Sequence, residues 1–165
     1  MFRTLVATLA LLCGPAHAGA QLTAASTPDE VMAKIRSEGS SKVMSKLLEN
    51  EHVFESLLSH VDRAETRWFP VWLKLSEHAD GGISESIHMA FARAIPRAPQ
   101  SVLRLVGSGL TIDRICTSPF IEPEPGVAEE YERTALRALS HVRDPKLKSL
   151  AQSCSDRVRL PKERR

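Results

Sequence analysis

Apolar residues recur at helical spacing along nearly the whole chain. Val31 and Ile35 share one face. Val43, Met44, Leu47 and Leu48 make a second stripe, and Val53, Phe54, Leu57, Leu58 and Val61 a third. Trp68, Phe69, Trp72, Leu73 and Leu75 are the bulkiest cluster. Ile83, Ile87, Phe91 and Ala94 predict the inner face of a helix over 83–95, and Val102, Leu103 and Val106 that of the next. Val127, Tyr131, Ala135, Leu139 and Val142 predict a long helix over 127–142. Leu147, Leu150, Ala151, Cys154 and Val158 form the last face. No sustained alternation of β-branched and polar residues occurs, so strands are not expected.

Breaks and caps separate these stripes. Thr27-Pro28-Asp29-Glu30 is a helix start, with Thr27 as cap, Pro28 in the first turn and Glu30 as the capping-box acid. Gly39-Ser40-Ser41 marks a stop and restart, and Asp80-Gly81-Gly82 ends another element. Pro70 lacks an amide proton and clashes with a preceding turn, so a kink, or a helix starting near it, is expected. Pro96 stops one helix, Pro99 opens another and Gly107-Ser108-Gly109 closes it. Thr111 can cap a short turn through Cys116, and Asp144-Pro145 starts the final helix. The fold expected is all-α: a single domain of about eight short helices, as an irregular bundle or as stacked antiparallel helix pairs. Self-similarity is too weak to define a repeat.

The amino terminus changes the picture. Met1-Phe2-Arg3 is a short basic start, Leu5 to Cys13 an apolar run, and Ala16-His17-Ala18 a small-residue exit. This pattern is that of a secretory signal, and the run is too short to span a bilayer. The expected organisation is a signal peptide at 1–18, cleaved after 18 or 20, a flexible lead-in at 19–26, a helical domain at 27–160 and a polar tail at 161–165. No later segment is long and apolar enough for a membrane span. The chain carries 22 Lys+Arg and 20 Asp+Glu. Removing residues 1–18 takes away Arg3 and no acid, which leaves 21 against 20, a net of +1. That balance, with a single tyrosine and few aromatics, argues against nucleic-acid binding.

Cys116 and Cys154 remain after processing. An even pair in an oxidising compartment most simply forms one disulfide. A reactive thiol or a metal pair is the alternative, but no CxxC occurs and no histidine is close in sequence to either cysteine.

Chemistry is sparse. His52 and His60 are two helical turns apart, with Glu55 near His52, yet HExxH is absent and the histidines read as solvated surface groups. GxSxG, P-loop and Rossmann glycine patterns are absent too. Glu129, Glu130 and Glu132 fall in the first turns of a helix, where its dipole favours acids. No catalytic, metal or cofactor-binding residue is assigned. Trp68 and Trp72 are either core anchors or an exposed stripe for a partner. The run Ile115 to Pro125, ICTSPFIEPEP, reads as a stiff crossover clamped by Cys116. Its prolines hold the chain extended, Phe120 and Ile121 tuck inward, and Glu122 and Glu124 stay wet. Rigid loops also make good contact surfaces. The candidate partner contacts are therefore Trp68, Trp72, Phe120, Ile121, Glu122 and Glu124.

The stretches WLKLSEHADGGISES (72–86) and ICTSPFIEPEP (115–125), with a cysteine in the final helix, resemble small exported bacterial all-helical proteins of unknown function. The resemblance covers most of the mature chain. It implies export and an all-α fold and carries no activity. The function expected is that of a periplasmic or secreted, non-enzymatic helical protein that binds another envelope or secreted protein, as an inhibitor or immunity protein does. The alternatives are an envelope scaffold of stacked helix pairs and an enzyme with a dispersed site, such as His88 with Glu85 and Asp80 around Gly81-Gly82.

Overall fold

The computed structural model describes residues 21–159. The expected signal segment at 1–18 and the tail at 161–165 lie outside them. Among the described residues the chain is all-α and carries no strand. Val106 and Leu110 make an isolated bridge across the Gly107–Gly109 turn. The helices are α1 (Pro28–Glu38), α2 (Ser40–Leu48), α3 (Glu51–Asp62), α4 (Phe69–Ser76), α5 (Gly81–Ala94), α6 (Pro99–Leu103), α7 (Ile112–Ile115), α8 (Val127–Ser140) and α9 (Lys148–Val158). Short 3-10 turns at Thr66–Trp68 and Pro145–Leu147 lead into α4 and α9.

Local chemistry sets most of these boundaries. Thr27 Oγ1 accepts from the Glu30 amide at 3.3 Å, and Glu30 Oε2 accepts from the Thr27 amide at 2.7 Å. Two otherwise orphaned amides are thus satisfied reciprocally. Asn50 and Asp80 cap α3 and α5 through bonds to Val53 and Ile83. Gly39 separates α1 from α2 at φ 88°, a left-handed value that a Cβ would penalise. Pro70 sits in the first turn of α4, so the helix begins there instead of kinking. Thr111 precedes α7 without a side-chain cap bond, unlike the sequence expectation.

The helices neighbour one another in the order of stacked pairs. Consecutive helices pack together from α1 to α6, as do α8 and α9; α3, α5, α7 and α9 form a row in which each touches the next, and α2 with α4 and α6 with α8 pair likewise. They share a single core that takes in residues from Val31 of α1 to Val158 of α9. Trp72 is its largest fully buried side chain. Its indole Nε1 donates to the Leu57 carbonyl at 3.2 Å, and its ring meets Phe54 edge-on. The indole thus buries its apolar body and satisfies its one polar atom.

Several inward expectations need correction. Leu48 is 42% exposed, because it lies about 100° around α2 from Leu47, off the buried stripe. Val127 is 38% exposed at the start of α8, ahead of the point where the helix meets the core at Tyr131. The lead-in is not a free tail over its described part: Leu22 packs on the core, and the Ser26 amide donates to the Thr23 carbonyl.

Candidate functional site

The run from Cys116 to Gly126 is pinned at several points. Cys116, at the end of α7, is bonded to Cys154 of α9 across a sequence separation of 38. Both residues are fully buried. This is the pairing expected from the sequence, and Cys154 faces the core as its helical register requires. Arg93 of α5 donates through Nη1 to the Pro119 carbonyl at 3.1 Å and through Nε to Asp62 Oδ1 at 2.8 Å. One guanidinium therefore joins α3, α5 and the loop, using two edges of a planar fork. Pro119 is buried. Phe120 is half-buried, and its ring stands edge-on to Tyr131 with centroids 5.7 Å apart. The Tyr131 hydroxyl in turn donates to the Ala92 carbonyl at 3.1 Å. Burial pushes that phenol well above its ordinary range, since the charged form would lose its hydration.

Beyond Phe120 the loop leaves the surface. Ile121 is 76% exposed, so the expectation that it tucks inward is corrected. The cause is backbone geometry: Glu122 has φ 47°, a left-handed value that turns the chain at this point. A residue before proline ordinarily adopts extended backbone, so Glu122 is a strained position held by its surroundings. Glu122 and Glu124 are exposed, as expected. Gly126, at φ 90°, then feeds α8, whose first turn carries Glu129 and Glu130.

The loop is a ridge between two depressions. On one side is a groove of about 940 Å³ between the ends of α3 and α5 and the start of α8. Phe120, Pro125, Val127 and Tyr131 supply its apolar wall, and Arg63 and Arg97 its exposed cations. On the other side is a smaller depression of about 410 Å³ between α5, α7 and the loop, walled by Met89, Phe120 and Ile121. Phe120 contributes to both.

The remaining candidates are placed differently. Trp68 and Trp72 are 3% and 0% exposed, so they are core anchors and form no surface stripe. Trp68 stacks on His60, with ring centroids 4.6 Å apart. His60 Nδ1 lies 2.7 Å from Glu65 Oε2 and 2.8 Å from Arg63 Nη2, which makes His60 part of a packed surface network instead of a solvated group. His52 and His78 are exposed as expected. His88 is not: it is 7% exposed, with Nδ1 3.3 Å from Ser84 Oγ. Burial, aided by the Arg114 charge, holds its pKa below the usual imidazole value. Glu85 and His88 line the same depression, whereas Asp80 is spent capping α5 and does not line it. The dispersed triad is therefore not assembled. Among the described residues no group of three or more His, Cys, Asp or Glu is placed to hold a metal ion, and no helix is long and apolar enough to cross a membrane. Sequence reasoning missed Arg93, which bonds the loop, and Arg97, which bonds the Asp62 carbonyl and lines the groove beside it. No motif marks them, because their partners are distant in sequence. No family model, curated protein or solved structure matches the chain.

Proposed function

We propose that this is an exported, non-enzymatic helical protein that binds another protein through its clamped proline loop, in the manner of an inhibitor or immunity protein. The observation that carries this reading is Ile121. A large aliphatic side chain stands 76% exposed at the turn of a loop anchored by a disulfide, an arginine fork and an aromatic contact. Leaving such a side chain in water forfeits about 1.5–3 kcal/mol that burial against a partner would recover. Prior anchoring reduces the ordering cost of binding. Val127, another of the three large exposed hydrophobics among the described residues, lines the groove on the far side of the ridge.

Export rests on the basic start, the short apolar run and the Ala16-His17-Ala18 exit. The buried disulfide supports an oxidising destination, periplasmic or secreted. The resemblance to small exported bacterial helical proteins agrees with that assignment. The test uses the purified mature chain and its Ile121→Asp variant as paired baits against envelope extract and culture medium. A protein retained by the wild type and lost on the variant is the expected result. Equal recovery on both, or none on either, overturns the reading. Mass spectrometry of the product made in cells addresses export, and an intact Met1 would refute it.

A second reading has one observation in its favour. The row α3, α5, α7 and α9 has the neighbour order of stacked helix pairs, the arrangement of scaffold proteins that present long surfaces. Under that reading binding would spread along the row and survive Ile121→Asp.

A further inference from the structure

The smaller depression is chemically unlike the rest of the loop surface. Its floor holds His88, whose ring is nearly buried and engages Ser84 through Nδ1. No other side chain among the described residues bonds Nε2. Its rim holds Arg114, which is exposed and whose guanidinium has no hydrogen bond or ion pair to any described residue. Asp113, beside it, is already paired with Arg157 of α9. Thr117 and Ser118 add two hydroxyls that donate to nothing among the described residues. Met89, Phe120 and Ile121 close the apolar side. An unpaired guanidinium, an imidazole and two hydroxyls around one hollow are the donor set of a carboxylate.

We infer that this depression receives an acidic side chain of the partner protein, with an adjoining apolar residue seated against Ile121 and Phe120. Arg114 supplies the planar fork for the carboxylate, Thr117 and Ser118 the supporting donors, and His88 the inner wall. Glu85, the other unpaired charge lining the hollow, sets polarity: it repels an acid at the α5 side and directs the carboxylate toward α7. A bound carboxylate also offsets the Arg114 charge that His88 experiences in the free protein. A hollow of about 410 Å³ accommodates one such pair of side chains and no folded domain. This inference rests on the loop-binding reading and specifies the chemistry of what the loop meets.

The test is an NMR titration of the full mature chain with two capped dipeptides, N-acetyl-Leu-Glu-amide and its Gln isostere. Saturable shifts at Glu85, His88, Arg114, Thr117 and Ile121 are expected with the Glu peptide. Affinity for the Gln peptide should be about tenfold lower, the loss expected for one charge-assisted bond. Arg114→Gln should erase that difference. Since Arg114 is exposed, an unchanged thermal melt will show that the variant folds. Equal affinity for the two peptides, or no saturable shift in this hollow with either, overturns the inference. Arg114→Gln used as a bait separates this idea from its parent. A partner lost on Ile121→Asp but kept on Arg114→Gln leaves the loop reading standing and removes the carboxylate site.

Discussion

The Arg93 guanidinium donates to the Pro119 carbonyl across 3.1 Å, joining the last turn of α5 to a loop 26 residues further along the chain. The same side chain reaches Asp62 of α3. Arg93→Ala should cost about 1–2 kcal/mol, the value of a charged hydrogen bond discounted for the pair's partial exposure. Urea unfolding measures the loss, and faster amide exchange over 117–126 locates it. Arg93→Lys should recover only part, because an ammonium cannot span both acceptors as the fork does.

Reduction of Cys116–Cys154 should lower stability by about 4 kcal/mol, the chain-entropy value for a closed loop of this length. Parallel urea curves with and without reductant give the difference. Because both cysteines are buried, reduction of the folded protein should be slow and should accelerate as denaturant opens it.

Core and surface roles separate by substitution. Trp72→Phe removes the indole bond to Leu57 and leaves unfilled volume, for a loss of about 1–3 kcal/mol. Ile121→Ser should stay within about 0.5 kcal/mol, as exposed substitutions do. Equal losses for the two would mean that Ile121 is packed in the folded state.

His88 makes stability depend on mild acid. Its folded pKa is depressed, so the unfolded chain binds its proton more readily. The stabilisation is fully present above the unfolded value of about 6.5 and is lost as pH falls through the folded one. Glu85, Asp113 and Arg114 are the charged groups that line the same depression. Denaturant midpoints for wild type and His88→Gln should converge as pH falls below about 6.5, and a constant gap would refute the assignment.

Tyr131 acts in the opposite direction. Its folded pKa is raised, so its contribution is present below the unfolded value of about 10 and declines as pH rises past it. It is the only tyrosine in the chain. Tyrosinate absorbance should therefore appear together with loss of helical circular dichroism, and ionisation in a still-folded protein would contradict the burial.

How far the sequence speaks is clear from individual residues. Thr27 and Pro70 act locally, through a cap and a missing amide, and their helices begin where expected; Asp80, read only as part of a break, instead caps α5, which takes in both glycines after it. The Cys116–Cys154 pair is legible because only two cysteines lie beyond the expected signal segment, which leaves a single pairing. Leu48 and Ile121 were misplaced for one reason: apolarity names a face only when the backbone direction is known. At Ile121 that direction depends on the left-handed Glu122, which no periodicity reveals. His88 and Arg114 come together only through the packing of α5 on α7. Arg93 finds its two acceptors 31 and 26 positions away in opposite directions along the chain, beyond any local pattern.

The bridge between α7 and α9 also makes residues 116–154 a closed covalent ring that contains the whole proline ridge and α8. A single proteolytic nick on that ridge, at Ile121 or among its prolines, cuts the ring without releasing a fragment. The two new ends stay tethered through α7, α9 and the sulfur bond, so the ridge survives its first cut.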